Sequence, residues 1–366
     1  MKTYQNIQIP YPENISAEEK RLFEPYVRAK VRIPRIKNLK NVFVTHQGLV
    51  LKNGLLVGGC AFNLRGNLDN TFYYQFWKDT LEKYLVCRWG KSLPSVHLKG
   101  PQQYLLIHSK WFNYAFWINA FLPRLLMAEQ SGYLKNTKLI VPENWKNIPY
   151  VWDSLKAFDV DFEVIPSDHH IFVDRLIMPE TRQWTASFYP PLIKDISARL
   201  IQEAQTRIRN KTFPKKIYLT RAKRKIRTVE NEEELICGLG KYGFEPVIFE
   251  DLSIWEQIAM MNNADFFISI HGAGFSNIMF MKNNASVIEL INKKYASLEY
   301  TFPFWKLSDA VMLKYYPFFC EPVLNESQLL SIGSSTKQNN DEKKFLVNSN
   351  VKVDIEKILT LLKNLL

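Results

Sequence analysis

Short apolar runs alternate with amphipathic segments along this chain, and this alternation restricts the possible fold more than any other feature. In the second half, the runs KKIYLTR, FEPVIFE, DFFISI and ASVIEL are separated by stretches with helical spacing of apolar residues. Strands that alternate with helices are typical of a parallel sheet covered by helices. Asn231 and Ser253 stand where caps of two such helices are expected. The sequence therefore predicts an α/β fold in this half.

The first half shows the same alternation from residue 104 onward. YLLIHS, TKLIVPE and DFEVIP are predicted strands, with a helix near 148–158. A helical face is predicted from the spacing of Tyr114, Trp117, Ile118, Phe121, Leu122 and Leu125. Pro123 lies inside that pattern, so the helix is expected to kink or restart there. Residues 1–100 contain shorter strand segments, with Asn53-Gly54 as a predicted hairpin turn.

The length of 366 residues is too great for one ordinary domain and fits two. The Pro-rich segment FYPPLI closes the first half and is followed by a long polar helix. We therefore predict an N-terminal α/β domain at 1–193, with a β-rich extension over 1–100, and a C-terminal α/β domain at 194–366. The polar segment 331–344 is predicted to be a mobile loop, and the last residues a terminal amphipathic helix.

Composition limits the kind of partner rather than naming it. The net charge of +12 favours phosphate-bearing ligands, but it does not distinguish a nucleotide from a nucleic acid or a lipid surface. The four cysteines lack metal-ligand spacing and do not form a disulfide framework, so we expect reduced thiols. No apolar window reaches the ~18 residues of a membrane span, and the first 30 residues lack a signal core. These features predict a cytoplasmic protein.

The turn His271-Gly272-Ala273-Gly274 follows a predicted strand and opens a predicted helix. Glycines let a ligand approach the backbone, and the free N–H groups at a helix start attract anions. The Gly-x-Gly pattern is also compatible with a plain structural turn, because it is not the full dinucleotide fingerprint. Two interpretations stay open on the residues alone: a tight core turn or a phosphate loop.

Two further strand ends carry charged residues that suit a nucleotide. Arg221 ends a strand and opens a basic run, and guanidinium groups bind phosphate oxygens bidentately. Glu289 lies near the end of the next strand, where a carboxylate could accept bonds from ribose hydroxyls. Solvated charges at strand ends would explain the same pattern, and Lys223 and Lys225 fit that explanation better than phosphate binding.

Metal-ligand patterns are weak in this chain. Asp159 and Asp161 form a D-x-D spacing, but they flank a helix-to-strand turn in the first half, away from the glycine turn. His169-His170 has no matching acidic partner. We therefore predict no metal site.

The ordered motifs together resemble glycosyltransferase family 61. The resemblance is carried by KIYLTRAKRKIRTVENEEEL, by the segment from GFEPVIFE to SVIEL with Glu256-Gln257, Asn277 and Phe280, and by YASLEY. NYAFWINAFLPRL in the first half is similar to the family's Asn-Tyr-x-His-Trp…Leu-Pro-Arg segment. The similarity covers about residues 100–320.

This resemblance implies a GT-B-type fold, in which two Rossmann-like α/β domains face each other across a cleft. It implies an N-terminal acceptor-side domain and a C-terminal domain that binds a nucleotide-sugar donor. It further implies an inverting transfer to a glycan or lipid-linked glycan without a metal, in capsule or lipopolysaccharide biosynthesis. Such an acceptor, together with a basic surface, would place the protein at the inner face of the cell membrane as a peripheral protein.

Two residues depart from the family pattern. Phe116 stands where the family usually has His before Trp, and Ala120 stands where an acidic residue is often found. These departures keep a second hypothesis open, in which the chain is a non-catalytic sugar-nucleotide or glycan-binding member of a polysaccharide assembly complex. A nucleic-acid binder, supported by charge alone, lacks a recognisable module, so no nucleic-acid partner is predicted.

The resemblance assigns roles to individual residues. We expect Arg221, Arg227 and the amides of Gly272–Gly274 on the diphosphate, and Glu289 on the ribose. His271 is expected at the donor or the acceptor, and His108 is the weaker candidate for the catalytic base. The remaining candidates are Asn277 in the donor loop, where it and Gln257 better suit holding the loop than touching substrate, and Asn113 and Arg124 in the acceptor-side cleft. A structural pairing would explain Arg124 equally well.

Overall fold

A computed structural model describes residues 4–60, 70–89, 93–180, 188–296, 301–324, 346 and 348–366. The predicted loop 331–344 and the last four residues of YASLEY, among others, lie outside the described residues. The strands in chain order are β1 Tyr4–Gln8, β2 Arg28–Arg32, β3 Ile36–Val44, β4 Val50–Lys52, β5 Leu55–Leu56, β6 Ser95–Leu98, β7 Gln103–Leu105, β8 Thr137–Pro142, β9 Asp161–Ile165, β10 His170–Pro179, β11 Lys216–Leu219, β12 Glu245–Val247, β13 Phe266–Ile270, β14 Ser286–Asn292, β15 Lys314–Val323 and β16 Asn350–Lys352.

The α-helices are α1 Ala17–Val27, α2 Asn70–Trp89, α3 Tyr114–Phe116, α4 Leu122–Gln130, α5 Pro149–Leu155, α6 Pro190–Arg207, α7 Glu232–Gly240, α8 Ile254–Asn263, α9 Lys293–Ala296, α10 Pro303–Ala310 and α11 Ile355–Leu365. A π-helical segment spans Trp117–Phe121, and 3₁₀ segments span Leu134–Asn136, Glu143–Trp145, Phe249–Asp251 and Ala273–Phe280. Among the described residues, no helix combines the length and the apolar content needed to span a bilayer.

The chain divides into two compact units. Unit 1 comprises residues 1–5 and 30–200, and unit 2 comprises residues 6–29 and 201–366. The predicted N-terminal domain, residues 1–193, includes residues 6–29, but in the structure these residues pack within unit 2. The reason is apolar burial, because the ring of Phe23 in α1 contacts the rings of Phe302 and Trp305 at centroid distances of 4.0 and 5.0 Å.

Unit 1 holds a mixed sheet in the order β5-β4-β3-β10-β7-β8-β9, with β6 also paired to β10. The strands β10, β7, β8 and β9 are parallel, whereas β3, β4 and β5 run antiparallel to their neighbours. The predicted hairpin turn is confirmed, because Asn53 and Gly54 both have positive φ, 49° and 77°, as a type I′ turn requires. Val44, Val173 and Leu176 lie in the core of this unit.

The helix around Pro123 restarts as the sequence predicts. The π-helical segment Trp117–Phe121 ends where α4 begins, and Pro123 occupies the first turn of α4, where its missing N–H costs no hydrogen bond. Trp117 is fully buried and donates its indole N–H to the Ser154 hydroxyl at 2.8 Å. This bond ties the segment to α5.

Unit 2 holds a sheet in the order β12-β11-β13-β14-β15-β16, parallel throughout except for the β15–β16 pair. α11 covers it with buried Ile358 and Leu362. The α/β prediction is therefore confirmed, while the GT-B arrangement stays a prediction from the resemblance.

The two predicted helix caps in unit 2 have different outcomes. The Ser253 cap of α8 is confirmed as a capping box with Glu256. Asn231 occupies the N-cap position of α7 as predicted, but it makes no side-chain capping bond, because its side chain bonds the amide and the carbonyl of Val353, at 2.9 Å each.

The four cysteines are all free, as predicted. Cys60 and Cys320 are buried, Cys87 is half-buried and Cys237 is exposed.

Candidate functional site

The predicted donor residues of unit 2 gather at the carboxyl ends of neighbouring parallel strands. Arg221 follows β11 by two residues, His271 follows β13 directly, and Glu289 lies in β14. The order β11-β13-β14 places these strands side by side, with Leu219 opposite Ser269 and Ile270 opposite Leu290. Ligands of open α/β sheets bind at this edge.

A buried hydrogen-bond chain fixes the histidine of the glycine turn. His271 Nδ1 lies 2.7 Å from Glu289 Oε1, and Tyr315 donates its hydroxyl to the other carboxylate oxygen. Glu289 is 0% exposed, whereas the His271 side chain is 24% exposed. Burial, and then the neighbouring Glu289 carboxylate, raise the pKa of Tyr315, which keeps its hydroxyl as a neutral donor. These hydrogen bonds fix the orientation of the His271 imidazole, part of which is exposed at the protein surface.

This burial corrects one assigned role. Glu289 was expected to bind a ribose, but its side chain has no exposed surface and both oxygens already accept hydrogen bonds. A buried carboxylate with both oxygens engaged is suited to orienting His271 rather than to touching a ligand. Sequence reasoning missed Tyr315, because nothing in the run KYYPFF distinguishes the tyrosine that reaches Glu289.

Arg221 lies directly against the glycine turn. A Cβ atom on Gly272 would be 2.2 Å from Arg221 Nη1, so only a glycine allows this contact. The φ of Gly272 is 179°, an extended value open to any residue, so the closeness of Arg221 is what requires the glycine. Among the described residues, the buried Nε of Arg221 has no hydrogen-bond partner. Arg221 as a whole is only half-buried, so the rest of its guanidinium can meet an anion.

The charge state of Arg221 supports anion binding. Burial, and then the positive charges of Arg227 and Arg224, lower the pKa of Arg221 to about 10. The guanidinium therefore stays protonated at neutral pH. Arg224 donates to Glu250 at 2.7 Å, and Lys223 pairs with Asp251. These two side chains are engaged at the surface, as the solvated interpretation of Lys223 predicted.

Arg227 belongs to the same loop but takes an unusual backbone conformation. Its φ is 55°, in the left-handed region, and its amide donates to the carbonyl of Asn348 at 3.3 Å. This backbone anchor places Arg227 near enough to contribute to the positive field at Arg221.

The segment after the glycine turn is a 3₁₀ helix rather than an α-helix. Gly274 packs against Leu219, where a Cβ atom would come within 3.0 Å. Asn277 is 0% exposed and donates to Gln257 at 3.1 Å, and Gln257 in turn donates to the carbonyl of Phe249 at 2.9 Å. Asn277 therefore holds the loop from inside, and its burial does not fit a direct contact with a donor.

The residues of unit 1 that were predicted on the acceptor side are mostly engaged in structural contacts. Arg124 is 2% exposed and donates to the carbonyls of Leu106, His108 and Pro179 at 3.1, 3.2 and 2.7 Å, and to that of Ile107. A guanidinium enclosed by carbonyls is structural, so of the two roles open for Arg124 the structure favours the structural one over lining an acceptor cleft.

Asn113 is exposed and caps the following helix by accepting from the Phe116 amide at 3.0 Å. Phe116 and Ala120, the two departures from the family pattern, are buried at 7% and 5% exposure. Both positions therefore contribute to the core of unit 1.

His108 follows β7 and is 3% exposed. Burial, and then the charges of Arg124 and His46, lower its pKa to about 3, so the imidazole is neutral near pH 7. Sequence reasoning missed His46, which follows β3 and lines the same small cavity as His108. Within the described part of the chain, no group of three or more His, Cys, Asp or Glu side chains could hold a metal. The absence of a metal requirement stays a prediction.

Comparison with known proteins gives two matches. Residues 114–288 match the family model described as Glycosyltransferase 61, which identifies a glycosyltransferase 61 domain in that stretch and confirms the resemblance there. A stretch of 78 residues is 40% identical to the EGF domain-specific O-linked N-acetylglucosamine transferase of Drosophila melanogaster. It covers 20% of this chain and 15% of that relative.

Proposed function

We propose that this chain is a glycosyltransferase that binds a nucleotide-sugar donor at the β11–β13–β14 edge of unit 2 and transfers the sugar to a glycan acceptor. The observation that carries the proposal is the contact of Arg221 with Gly272, beside the held imidazole of His271. A protonated, half-buried guanidinium set against a glycine turn is suited to the diphosphate of the nucleotide-sugar donor.

The chemistry follows from these groups. The acceptor hydroxyl oxygen forms a bond to the anomeric carbon of the donor, and the bond from that carbon to the diphosphate oxygen breaks. Negative charge grows on the departing diphosphate, where Arg221 and Arg227 stabilise it. The proton of the acceptor hydroxyl passes to a general base.

His271 is the base that the geometry favours. A neutral imidazole that donates Nδ1–H to a carboxylate keeps its lone pair on Nε2. Glu289 therefore selects the tautomer able to accept a proton at Nε2, and Tyr315 holds Glu289 in place. An attack of this kind inverts the anomeric configuration. The proposal leaves Phe116 and Ala120 without a catalytic role.

The wider setting is proposed on the resemblance and on composition. The acceptor is a glycan or lipid-linked glycan, transfer needs no metal, and the protein works at the cytoplasmic face of the membrane in capsule or lipopolysaccharide synthesis. The name of the Drosophila relative makes N-acetylglucosamine the first donor sugar to test.

Calorimetry with uridine, guanosine, cytidine and thymidine diphosphates tests the donor site. We expect at least one to bind, and Arg221→Ala to weaken it by ten-fold or more. Arg209→Ala is the matched control, because Arg209 is an exposed arginine of the same unit whose Nε bonds the carbonyl of Thr206. Equal binding by wild type and Arg221→Ala would overturn the donor assignment. Sugar transfer to an oligosaccharide would exclude the non-catalytic alternative.

A further inference from the structure

The side chain of Phe304, in the first turn of α10, lies against the imidazole of His271. The two ring centroids are 5.1 Å apart, and the ring planes are tilted by 49°. Phe304 is 6% exposed, whereas the His271 side chain is 24% exposed. Aromatic rings attract each other at centroid distances of about 4.5–7 Å. One side of the imidazole is therefore in contact with an apolar ring rather than with water.

The Phe304 ring is itself supported from the glycine turn. Phe275, in the 3₁₀ segment that follows the turn, is 1% exposed, and its ring centroid lies 4.8 Å from that of Phe304. Phe275 also contacts Phe267 of β13 at a centroid distance of 5.2 Å. The Phe275 amide donates to the carbonyl of Gly272 at 3.0 Å. His271, the glycine turn and α10 therefore pack together through one group of aromatic rings.

The backbone that leads into α10 adopts a conformation that is costly for its residue. Phe302, the N-cap of α10, has a φ of 46°, in the left-handed region, which is an outlier for a bulky side chain. Its ring is fully buried and contacts Phe23 at a centroid distance of 4.0 Å. An outlier of this kind persists only where the surrounding packing compensates for it, and such outliers cluster at functional sites. The turn at Phe302 sets the direction of α10 and so brings Phe304 to His271.

The hydrogen bond to Glu289 does not by itself fix the plane of the imidazole. It fixes the position of one ring atom, with 2.7 Å between His271 Nδ1 and Glu289 Oε1, but the ring can still tilt about that bond. The contact with Phe304 opposes such tilting, because the packed atoms on that side would lose their neighbours. The Phe304 ring also keeps water away from the bond to the carboxylate, which strengthens that bond. The two constraints together determine where the Nε2 lone pair points.

We propose that Phe304 is a positioning residue for the transfer reaction, which holds the plane of the His271 imidazole so that Nε2 faces the acceptor hydroxyl. This role rests on the proposed function, in which His271 is the general base. Phe304 acts through His271 rather than on a substrate. A misplacement of about 1 Å at a reacting group can cost about 100-fold in rate, so loss of the ring should lower kcat. Donor binding depends on Arg221 and should not change.

Phe304→Leu tests this role, because leucine is also apolar but has no planar ring. For transfer from uridine diphosphate N-acetylglucosamine to an oligosaccharide, we expect kcat to fall by about 10- to 100-fold and the donor KM to change by less than about two-fold. Phe244→Leu is the matched control, since Phe244 is also a buried phenylalanine of unit 2 but packs against Phe266, at 6.2 Å between ring centroids. An unchanged kcat in Phe304→Leu, or an equal loss in Phe244→Leu, would overturn the proposal.

An NMR measurement without substrate tests the same contact. Labelling with ¹⁵N-histidine identifies the Nδ1–H proton of His271, and its exchange with water reports how well the bond to Glu289 is covered. We expect this proton to be observable in the wild type and to exchange about ten-fold faster or more in Phe304→Leu. Equal exchange in both proteins would contradict the positioning role.

The NMR measurement also covers the case in which Phe304→Leu does not fold. Phe304→Met then takes its place, because the unbranched methionine side chain adapts to an irregular gap without supplying a ring. A wild-type Nδ1–H proton that exchanges too fast to observe would overturn the proposal without any variant.

This inference and the proposed function fail separately. Faster Nδ1–H exchange in Phe304→Leu, in a protein that transfers no sugar, would overturn the proposed function but leave Phe304 as the residue that holds His271. Sugar transfer by the wild type with an unchanged kcat in Phe304→Leu would do the reverse.

Discussion

His271 and Glu289 are joined by a 2.7 Å hydrogen bond between Nδ1 and Oε1, which connects a partly exposed imidazole to a fully buried carboxylate. They are 18 residues apart in the chain and come together because β13 and β14 are parallel neighbours. Burial on the Glu289 side keeps water from competing for the bond. This pairing determines how the imidazole faces the candidate site.

Glu289→Gln is expected to lower kcat with little change in the donor KM. A hydrogen bond to a charged group is worth about 1.5–3 kcal/mol, which corresponds to about a 10- to 150-fold loss of rate. The amide keeps the shape but removes the charge that favours Nδ1–H. The pH–rate profile should also shift, and that change separates positioning from mere destabilisation. Tyr315→Phe keeps the Glu289 carboxylate, so we expect a smaller loss of kcat than in Glu289→Gln. A larger loss of kcat would contradict the assignment in which Glu289 orients His271 and Tyr315 only supports Glu289.

Gly272→Ala is expected to weaken nucleotide diphosphate binding by ten-fold or more. The added Cβ would be 2.2 Å from Arg221 Nη1, so the guanidinium must leave its position. Gly240→Ala is the control, because a Cβ on Gly240 meets nothing within 4 Å. Calorimetry measures both variants. If Gly272→Ala bound the nucleotide as tightly as Gly240→Ala, the contact between Arg221 and the glycine turn would have no bearing on the donor.

Arg124→Met is expected to lower the free energy of unfolding by about 3–5 kcal/mol, because several buried carbonyls would be left unsatisfied at about 1–3 kcal/mol each. The carbonyls of Leu106, His108 and Pro179 would lose their shared donor. Urea denaturation measures the loss. Arg175→Met, at an exposed position of β10, should change stability by only about 0.5 kcal/mol. A stable Arg124→Met protein with a raised acceptor KM would instead restore the acceptor-side role.

Acid is expected to destabilise the protein partly through His108. Its pKa is about 3 in the folded chain against an ordinary value of 6.5, so the unfolded state binds the extra proton between these values. Stability therefore falls as the pH drops from 6.5 toward 3, by up to about 1.4 kcal/mol per pH unit. The free energy of unfolding is measured by urea denaturation at several pH values between 7 and 4.5. His108→Leu should reduce its dependence on pH, whereas His97→Leu should not. An unchanged slope in His108→Leu would show that His108 does not titrate in this way.

Local signals were the predictable part of this fold. The Asn53-Gly54 turn, the Ser253 cap and the restart at Pro123 each depend on residues within a few positions of one another. Asn231 begins α7 as predicted, but its side chain does not cap the helix because it binds Val353, more than a hundred residues away. Arg221 and His271, which follow β11 and β13, were predicted to lie together, because parallel strands bring their carboxyl ends to one edge.

The sequence by itself determined the α/β class, the strand ends that carry Arg221 and His271, and the glycine turn between strand and helix. Apolar periodicity and turn chemistry act over short distances, so they can be read from neighbouring residues. Only the tertiary structure decided that Glu289 faces inward, that Tyr315 reaches it, and that Arg124 is enclosed by carbonyls. Burial and strand register depend on residues far apart in the chain, and these decide whether a charged side chain meets a ligand or holds another residue in place.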